Sequence, residues 1–316
     1  MKRNTRNQKS QKVTGLKLAL SNGSLRGGTT LLFGEANLKI WEDLRKHDAW
    51  IDDPLIERVT FMRPQHIPDL VSSGAYDVGI CGLDCQYESS SGSYVIGELP
   101  YGRGTSSGKA RVVLVTAKSN PAKSIEDVEE DAVILSEYPE LTKSYYENLS
   151  LTSPTVRFSY GGTEAHIPRD YRYGVCLTDT GASLKANRLK VIHTFMETYT
   201  CLIVNQDIWT TTAESPKEHK KKKLVFALKH LLFGTLDARE RVFLVMNVWK
   251  GNKDKLLEQL PSLKSPTITP LAGGDYFSVG TVAHKTELNE LIQKLLTNGA
   301  EDLVEMPISK VISSWR

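Results

Sequence analysis

Short apolar runs recur along the first two thirds of the chain, and most of them end in a small or polar turn. Runs rich in Val, Ile and Leu that stop at such turns are typical of buried strands. Because helical patterns alternate with these runs, the pattern predicts αβ units built on largely parallel sheets. The predicted strands are residues 16–20, 59–62, 76–80, 111–116, 132–135, 156–159, 175–177 and 198–205.

Apolar residues at helical spacing predict the intervening helices. In residues 35–47 this spacing places Leu38, Trp41 and Leu44 on one face, which favours an amphipathic helix there. Further helices are predicted at residues 69–73, 143–149 and 224–237, and from residue 184 onwards.

The last third of the chain has a different order of elements. Strand, helix, two strands, helix and strand follow one another, which is the split motif of ferredoxin-like domains. A polar, charged and proline-containing segment at residues 213–223 precedes it and is typical of a boundary between domains. The predicted elements are residues 241–248, 254–260, 267–271, 276–284, 287–297 and 302–308.

Composition narrows the class of protein. The 316 residues are 40% hydrophobic and 24% charged, with a formal net charge of +3, as in ordinary soluble globular proteins. No apolar run approaches the ~20 residues of a membrane span, and the polar, basic start predicts no secretory signal. We therefore expect a cytoplasmic protein that does not bind a membrane.

Two further features could suggest a binding site, and neither does so strongly. The lysine-rich run 217–223 lacks accompanying aromatic or basic clusters, so we interpret it as a solvated linker and helix start and expect no nucleic-acid partner. Cys81 and Cys85 lack a second pair at zinc-site spacing, and we expect all four cysteines to be reduced and buried. The sequence therefore predicts no metal site made of protein ligands alone.

The candidate chemistry lies in residues 172–190, where a short strand breaks into Thr178-Asp-Thr-Gly-Ala-Ser183 before a helix. A small, hydroxyl-rich turn between a strand and a helix can hold a phosphate group on backbone N–H groups. Gly181 allows a close approach of the backbone, and Thr180 and Ser183 can donate hydroxyl hydrogen bonds. The spacing fits neither of the two common glycine-rich nucleotide loops. An ordinary capped αβ turn remains the alternative.

This stretch resembles the phosphoribosyl-pyrophosphate loop of the ATP phosphoribosyltransferase family of histidine biosynthesis. The matching residues are Asp179-Thr-Gly-Ala-Ser-Leu-Lys-Ala-Asn-Arg-Leu189. Other segments resemble the same family in the same order, and they cover roughly residues 16–310. These segments are Arg63 with Ile67-Pro68, Asp77-Val-Gly-Ile-Cys-Gly82, Glu137-Tyr-Pro-Glu-Leu-Thr142, Tyr160-Gly-Gly-Thr-Glu-Ala165, Ser265-Pro-Thr-Ile-Thr-Pro-Leu271 and Asn298-Gly-Ala-Glu-Asp-Leu303.

The resemblance implies an α/β fold of two periplasmic-binding-protein-like αβ lobes around a cleft, followed by the ferredoxin-like βαββαβ domain of the long form. The first lobe is expected at residues 13–112 and 195–215, because the strand 198–205 returns to it. The second lobe, with the phosphate loop, is expected at 113–194. The regulatory domain is expected at 218–312.

The resemblance also implies the reaction. N1 of the ATP adenine displaces pyrophosphate from C1 of phosphoribosyl pyrophosphate, with Mg²⁺ on the pyrophosphate. Asp179 and Arg63 are the candidate catalytic residues. Phosphoribosyl pyrophosphate is expected to contact Thr178, Asp179, Thr180, Gly181, Ala182, Ser183, Leu184 and Glu137. The acceptor is expected to contact Ser21, Asn22, Gly23, Arg26, Arg63, Gly82, Asp84 and Glu164.

Two departures from the family pattern fall at the expected site. The family has a basic residue and an arginine in the turn that reads Ser21-Asn-Gly-Ser-Leu25 here, and Arg26 is a candidate replacement. The family also has an aspartate at the position of Cys176, four residues before Thr180, and a thiol accepts ribose hydrogen bonds poorly. Asp179 is the candidate substitute for that carboxylate.

Three functions remain open at this point. The first is ATP phosphoribosyltransferase, with histidine as a possible effector at the third domain of a homo-oligomer, either a dimer or a hexamer. The second is a related phosphoribosyltransferase that uses another acceptor in specialised metabolism. The third is a non-catalytic regulatory relative. The departures motivate the second and third functions.

Overall fold

The structure is a computed structural model that describes residues 15–43, 48–89, 91–102, 108–211, 216–261 and 265–312. The chain forms two compact units. The first consists of residues up to Gly34 together with Leu38–Ala227, and the second consists of Glu35–Asn37 together with the chain from Leu228 onwards.

Two sheets make up the first unit. Its strands are β1 (Leu16–Ser21), β2 (Ile40–Asp43), β3 (Asp48–Ile51), β4 (Ile56–Met62), β5 (Val78–Gly82), β6 (Tyr94–Leu99), β7 (Ala110–Ala117), β8 (Val133–Ser136), β9 (Thr155–Phe158), β10 (Tyr173–Thr178), β11 (Leu189–Thr198) and β12 (Thr200–Val204). Its helices are α1 (Arg26–Glu35), α2 (Ile67–Ser72), α3 (Leu83–Ser89), α4 (Pro139–Asn148), α5 (Thr163–His166), α6 (Ala182–Ala186), α7 (Gln206–Thr210) and the first half of α8 (Pro216–Arg239).

Each sheet defines one lobe. The seven-stranded sheet of the first lobe has the order β2-β3-β4-β1-β5-β12-β6, and the five-stranded sheet of the second has the order β11-β7-β10-β8-β9. Strands β4, β1 and β5 are parallel neighbours, as are β10, β8 and β9. Strand β12 returns to the first sheet and pairs with β5, as expected. The two lobes confirm the predicted fold class.

Continuous apolar strands supply the core of each lobe. Leu18 and Ile80 of the first sheet are at most 1% exposed. In the second lobe, Ile134, Tyr173 and Val175 form one buried cluster with residues of α4. Because these strands are covered on both faces, their apolar runs lack alternation, which is why they were recognisable as buried parallel strands.

The prediction of a helix at residues 35–47 is wrong. Residues 40–43 form β2, whose Ile40 pairs with Ile51 and whose Trp41 pairs with Trp50. Ile40 is buried whereas Trp41 is 45% exposed, which is the alternation of a strand. The end of the predicted helix, residues 44–47, lies outside the described residues. The helix of this region is instead α1, whose glycines lower its intrinsic helix propensity and concealed it.

The expected domain limits do not coincide with the ends of the observed strands and helices. The second sheet begins at Ala110 and ends at Thr198, so the limits at 112/113 and 194/195 fall inside β7 and β11. Helix α8 begins at Pro216, so most of the expected linker at 213–223 is helical. The division between the compact units follows Ala227, in the middle of that helix.

The second unit contains the predicted split motif. Its elements are β13 (Arg241–Trp249), α9 (Lys253–Leu257), β14 (Thr267–Pro270), β15 (Tyr276–His284), α10 (Leu288–Thr297) and β16 (Ala300–Pro307). The sheet order β14-β15-β13-β16, with antiparallel neighbours, is that of a ferredoxin-like domain. Its core joins alternate residues of β13, such as Leu244 and Met246, to Leu291 and Leu295 of α10.

Candidate active site

Parallel strands place the candidate residues of each lobe at one edge of its sheet. Strands β10, β8 and β9 are neighbours, so the turns that follow them emerge side by side. The turn after β10 is the predicted phosphate loop, the turn after β8 carries Glu137, and the turn after β9 leads into α5, which carries Glu164. Ligands bind at the carboxyl ends of strands in open α/β sheets.

The loop from Thr178 to Leu184 turns at Gly181 and leads from β10 into α6. Gly181 adopts a positive φ of +73°, and no described residue other than its two chain neighbours lies within 4 Å of the position that a Cβ atom would occupy. The backbone N–H of Ala182 donates to Thr180 Oγ1 at 3.3 Å, and the N–H of Thr180 donates to Asp179 Oδ1. Thr180, Ala182 and Ser183 are exposed, so the tip of the loop lies at the surface of the lobe.

Side chains from the other two turns support this loop. Ser183 Oγ donates to Glu164 Oε1 at 3.1 Å. Thr163 Oγ1 is buried and lies 3.0 Å from Glu137 Oε1 and 2.9 Å from Ser159 Oγ. The structure thus brings Glu137 and Glu164 together with the phosphate loop. Glu164 was expected to contact the acceptor; its carboxylate accepts the Ser183 hydroxyl, and its contact with the acceptor stays a prediction.

Cys176 lies beneath the loop. It is 1% exposed and packs in an apolar cluster with Val113, Val115 and Leu184. Burial raises the pKa of its thiol far above the usual range, and the nearby carboxylates of Glu164 and Glu137 raise it further. This position therefore holds a neutral thiol. Asp179, three residues later, is only half-buried.

The first lobe presents a cationic edge. Arg26, the first residue of α1, donates to Asn22 Oδ1 at 3.0 Å, forms an ion pair with Glu42, and stacks over the Phe61 ring at 4.4 Å. Asn22 is joined to the end of β4 because its N–H donates to the carbonyl of Met62 at 2.8 Å. Arg26 is therefore held at the carboxyl edge of the sheet, near the end of β4, which Arg63 follows.

Arg63 is the second cation of this edge. It follows β4 directly, is exposed, and keeps an extended backbone with φ −64° and ψ 134°. Gly23, in the neighbouring turn, has a φ of +74° and open space around it. Ser21 is different, because its fully buried hydroxyl donates to the carbonyl of Ile80 at 2.7 Å. The Ser21 hydroxyl therefore joins β1 to β5, and the expected contact of Ser21 with the acceptor stays a prediction.

Asp84 lies where the two lobes meet. Its carboxylate is buried and accepts hydrogen bonds from Thr198 Oγ1 at 2.6 Å and from the Tyr138 hydroxyl at 2.8 Å. Asp84 and Gly82 also line a small cavity whose walls come from both sheets. Its other lining residues are Leu25, Gly102, Gly108, Ala110, Leu177, Thr198, Tyr199 and Thr200.

Sequence reasoning missed several residues of this arrangement. Tyr138 and Thr163 stand in the same short motifs as Glu137 and Glu164, so their positions were known but their roles were not. Glu88 of α3, whose carboxylate accepts the N–H groups of Glu140 and Leu141, stands in no motif. Only the packing of the lobes reveals it.

Within the described residues, no group of three or more His, Cys, Asp or Glu side chains is arranged to hold a metal ion. Mg²⁺ is commonly bound by one or two carboxylates together with substrate phosphates, so the residues near the phosphate loop are compatible with a substrate-borne Mg²⁺. No helix in the described part of the chain is long and apolar enough to span a membrane.

The sequence matches two family profiles in succession. Residues 63–230 match the ATP phosphoribosyltransferase (HisG) family, and residues 238–310 match the HisG C-terminal domain. An ATP phosphoribosyltransferase of Desulfosudis oleivorans is 34% identical over 298 residues, which are 94% of this chain and 99% of the relative. One of Pelotomaculum thermopropionicum is 34% identical over 297 residues, with the same shares covered.

Solved structures give a similar fold. The ATP phosphoribosyl transferase (HisG:HisZ) complex from Thermotoga maritima aligns with a TM-score of 0.56 and 22% identity, over 69% of this chain and 98% of that chain. These comparisons confirm the resemblance carried by the sequence motifs. The chain therefore belongs to the ATP phosphoribosyltransferase family, the phosphoribosyltransferases that carry out the first step of histidine biosynthesis.

Proposed function

We propose that the loop from Thr178 to Leu184 binds the 5′-phosphate of phosphoribosyl pyrophosphate. The observation that carries this proposal is the open space over Gly181, bounded by the exposed hydroxyl groups of Thr180 and Ser183. A phosphate placed there accepts hydrogen bonds from the hydroxyls and from backbone N–H groups of the loop. Leu184 anchors the loop, because its side chain is buried beneath it.

Asp179 is the carboxylate assigned to the ribose. It stands at the start of the loop and is half-buried, whereas Cys176 is enclosed in the apolar cluster. A carboxylate accepts hydrogen bonds from two adjacent hydroxyls, and those bonds strengthen as positive charge develops on the ribose. The role assigned to Glu137 is to support α5 through Thr163, at the side of the bound ribose phosphate.

The acceptor, ATP, binds at the cationic edge of the first lobe. Arg63 is exposed there, and Arg26 is held close by through Asn22 and Phe61. A guanidinium group can form two parallel hydrogen bonds to phosphate oxygens, so Arg63 suits the triphosphate, and Arg26 would do so by exchanging its partner Glu42. The open turn at Gly23 admits the acceptor, and Gly82 and Asp84 border it from β5 and α3.

The chemistry is a displacement at C1 of the ribose. N1 of the adenine forms the new bond to C1 as the bond to pyrophosphate breaks. In the transition state, where both bonds are partial, the ribose has oxocarbenium character. Such a displacement is accelerated by positioning the two substrates and by stabilising the charge of the transition state. Arg63 and Asp179 supply charge from opposite lobes. Mg²⁺, when bound on the pyrophosphate, stabilises the charge of the leaving group.

The departures at Ser21–Leu25 and Cys176 keep a related phosphoribosyltransferase with another acceptor as the second candidate. Incubation of the full chain with phosphoribosyl pyrophosphate, Mg²⁺ and ATP tests both. Formation of phosphoribosyl-ATP together with pyrophosphate supports the first candidate. Pyrophosphate release with another nucleotide or amine, but not with ATP, supports the second. Binding of phosphoribosyl pyrophosphate without turnover on any acceptor would indicate a non-catalytic relative.

The second unit is proposed to regulate the enzyme. Its ferredoxin-like sheet matches the C-terminal domain profile of the family, and it lies outside the compact unit that contains the phosphate loop. We assign to it the binding of histidine in a homo-oligomer, a dimer or a hexamer. Inhibition of product formation by histidine, together with a change of sedimentation coefficient, tests this assignment. The cytoplasmic location stays a prediction.

A further inference from the structure

Helix α3 of the first lobe contacts the first turn of α4 in the second lobe. The backbone N–H of Glu140 donates to Glu88 Oε1 at 3.1 Å, and the N–H of Leu141 donates to Glu88 Oε2 at 2.9 Å. The N-cap residue of α4, Tyr138, makes no capping hydrogen bond with its own side chain. The unpaired N–H groups of this first turn are therefore satisfied by a carboxylate from the other lobe.

A second carboxylate of the same helix contacts the same segment. Asp84 precedes Glu88 by four residues, so both side chains lie on one face of α3. Asp84 Oδ2 accepts the hydroxyl of Tyr138 at 2.8 Å. We name this pair, Asp84 and Glu88, the α3 clamp. It holds residues 138–141 of the second lobe at two points.

The clamped segment is connected directly to the phosphate loop. Glu137 precedes Tyr138 and lies 3.0 Å from the hydroxyl of Thr163, the first residue of α5. The next residue of α5, Glu164, accepts the hydroxyl of Ser183 in the loop. A shift of residues 138–141 relative to α3 therefore moves the phosphate loop relative to the first lobe.

We propose that Glu88 is a positioning residue for the phosphoribosyl transfer, which holds the phosphate loop of one lobe at the correct distance from the acceptor edge of the other. The proposal rests on the function assigned above. Glu88 acts through α4 and touches no substrate. Its carboxylate accepts two N–H groups at the N-terminus of α4, where the helix dipole favours an anion, and so ties α3 of one lobe to α4 of the other. Misplacement of reacting groups by about 1 Å can reduce a rate 10²-fold.

The test compares Glu88→Gln and Glu88→Ala with wild type in the full-length protein, with Glu147→Gln as the control. Glu147 is exposed near the end of α4 and carries the same charge. We expect kcat to fall in the order wild type, Glu88→Gln, Glu88→Ala, by roughly tenfold or more for the alanine variant. The dissociation constant for inorganic phosphate should change less than about twofold, because the loop itself remains intact. Glu147→Gln should behave as wild type.

The outcomes separate the proposals. Glu88→Gln keeps one acceptor oxygen and similar volume, so it is informative even where Glu88→Ala unfolds. A wild-type kcat in folded Glu88→Gln and Glu88→Ala overturns the positioning role. Parallel losses of kcat and phosphate affinity also overturn it, because they indicate a general structural role. Absence of any product from ATP in the wild-type protein is instead a failure of the assigned function.

Discussion

Ser183 in the phosphate loop donates its hydroxyl to Glu164, with 3.1 Å between Oγ and Oε1. A carboxylate thus stands beside a loop that is assigned to a dianionic phosphate, and it occupies one of the donors that the phosphate would use. The two anions repel each other, and the repulsion weakens with ionic strength. If the loop binds phosphate as proposed, Glu164 is therefore expected to lower its affinity.

We expect Glu164→Gln to increase the affinity for inorganic phosphate by a few-fold at low ionic strength, since like charges at close range disfavour one another. Isothermal titration calorimetry at two salt concentrations measures this effect, with Glu147→Gln as the control. A weaker affinity in Glu164→Gln would show that Glu164 contacts the ligand favourably, for example through ribose hydroxyls or the acceptor.

Gly181→Asp should abolish binding of phosphoribosyl pyrophosphate in a folded protein. The new carboxylate would enter the open space over the loop, where the phosphate is assigned. Gly181→Ala is the control for backbone strain. A φ of +73° costs any L-residue about 1–2 kcal/mol, so alanine adds this strain without the charge that aspartate adds. Calorimetry should show a partial loss for alanine and no binding for aspartate. Equal affinities in both variants and wild type would remove the loop from the site.

Asp179→Asn should weaken binding or turnover of phosphoribosyl pyrophosphate by roughly 1–3 kcal/mol, because the neutral amide is a poorer acceptor for ribose hydroxyls. The measurement is kcat/KM for phosphoribosyl pyrophosphate together with its dissociation constant. Wild-type values of both in a folded Asp179→Asn protein would exclude Asp179 from the ribose site.

Cys176→Asp should destabilise the protein rather than restore a ribose contact. The family's aspartate position is buried here among Val113, Val115 and Leu184, and an ionised carboxylate is costly in such surroundings. Cys176→Ser is the matched control with a small uncharged side chain. Thermal unfolding should rank wild type above serine and serine above aspartate. A stable Cys176→Asp protein with raised activity would show that this position reaches the ligand.

Glu88 should give stability a dependence on pH. Burial raises the pKa of Glu88, although the N–H groups of Leu141 and Glu140 act in the opposite direction. The folded state therefore binds the proton more tightly than the unfolded state does. The stability of wild type relative to Glu88→Gln should be greatest below the unfolded pKa of Glu88 and fall as pH rises to its folded pKa. A pH-independent difference in Tm between the two proteins would contradict this prediction.

The first unit should fold alone when it includes the first half of α8. Lys221 forms an ion pair with Asp77, whose side chain is 3% exposed, and Val225 is fully buried. A fragment that ends at residue 215 lacks both Lys221 and Val225, so Asp77 loses its cation and the first unit loses the buried apolar contact of α8. We therefore expect residues 1–227 to keep phosphate binding with a clearly higher Tm than residues 1–215. Equal stability of the two fragments would show that α8 contributes nothing to this unit.

Local patterns in the sequence predicted the strands that carry the site. Apolar runs such as 132–135 and 175–177 are buried by any fold that covers both faces of a sheet, so hydrophobicity alone locates them. The turn at Gly181 was recognisable only through its resemblance to the family's loop, because an ordinary capped αβ turn has the same types of residue. The prediction of a helix at 35–47 failed because its signal was weak. A few apolar residues spaced by three or four also occur on a partly buried strand.

The sequence by itself therefore determined the αβ alternation, the split motif of the last domain and the turn between β10 and α6 to which we assign the phosphate, because each depends on the order and polarity of neighbouring residues. Tertiary structure decided which groups meet. It buried Cys176 and the hydroxyl of Ser21, placed Glu164 against Ser183, and brought Glu88 to the first turn of α4. Such contacts join residues far apart in the chain, and their geometry is set by how two sheets pack, which local polarity does not encode.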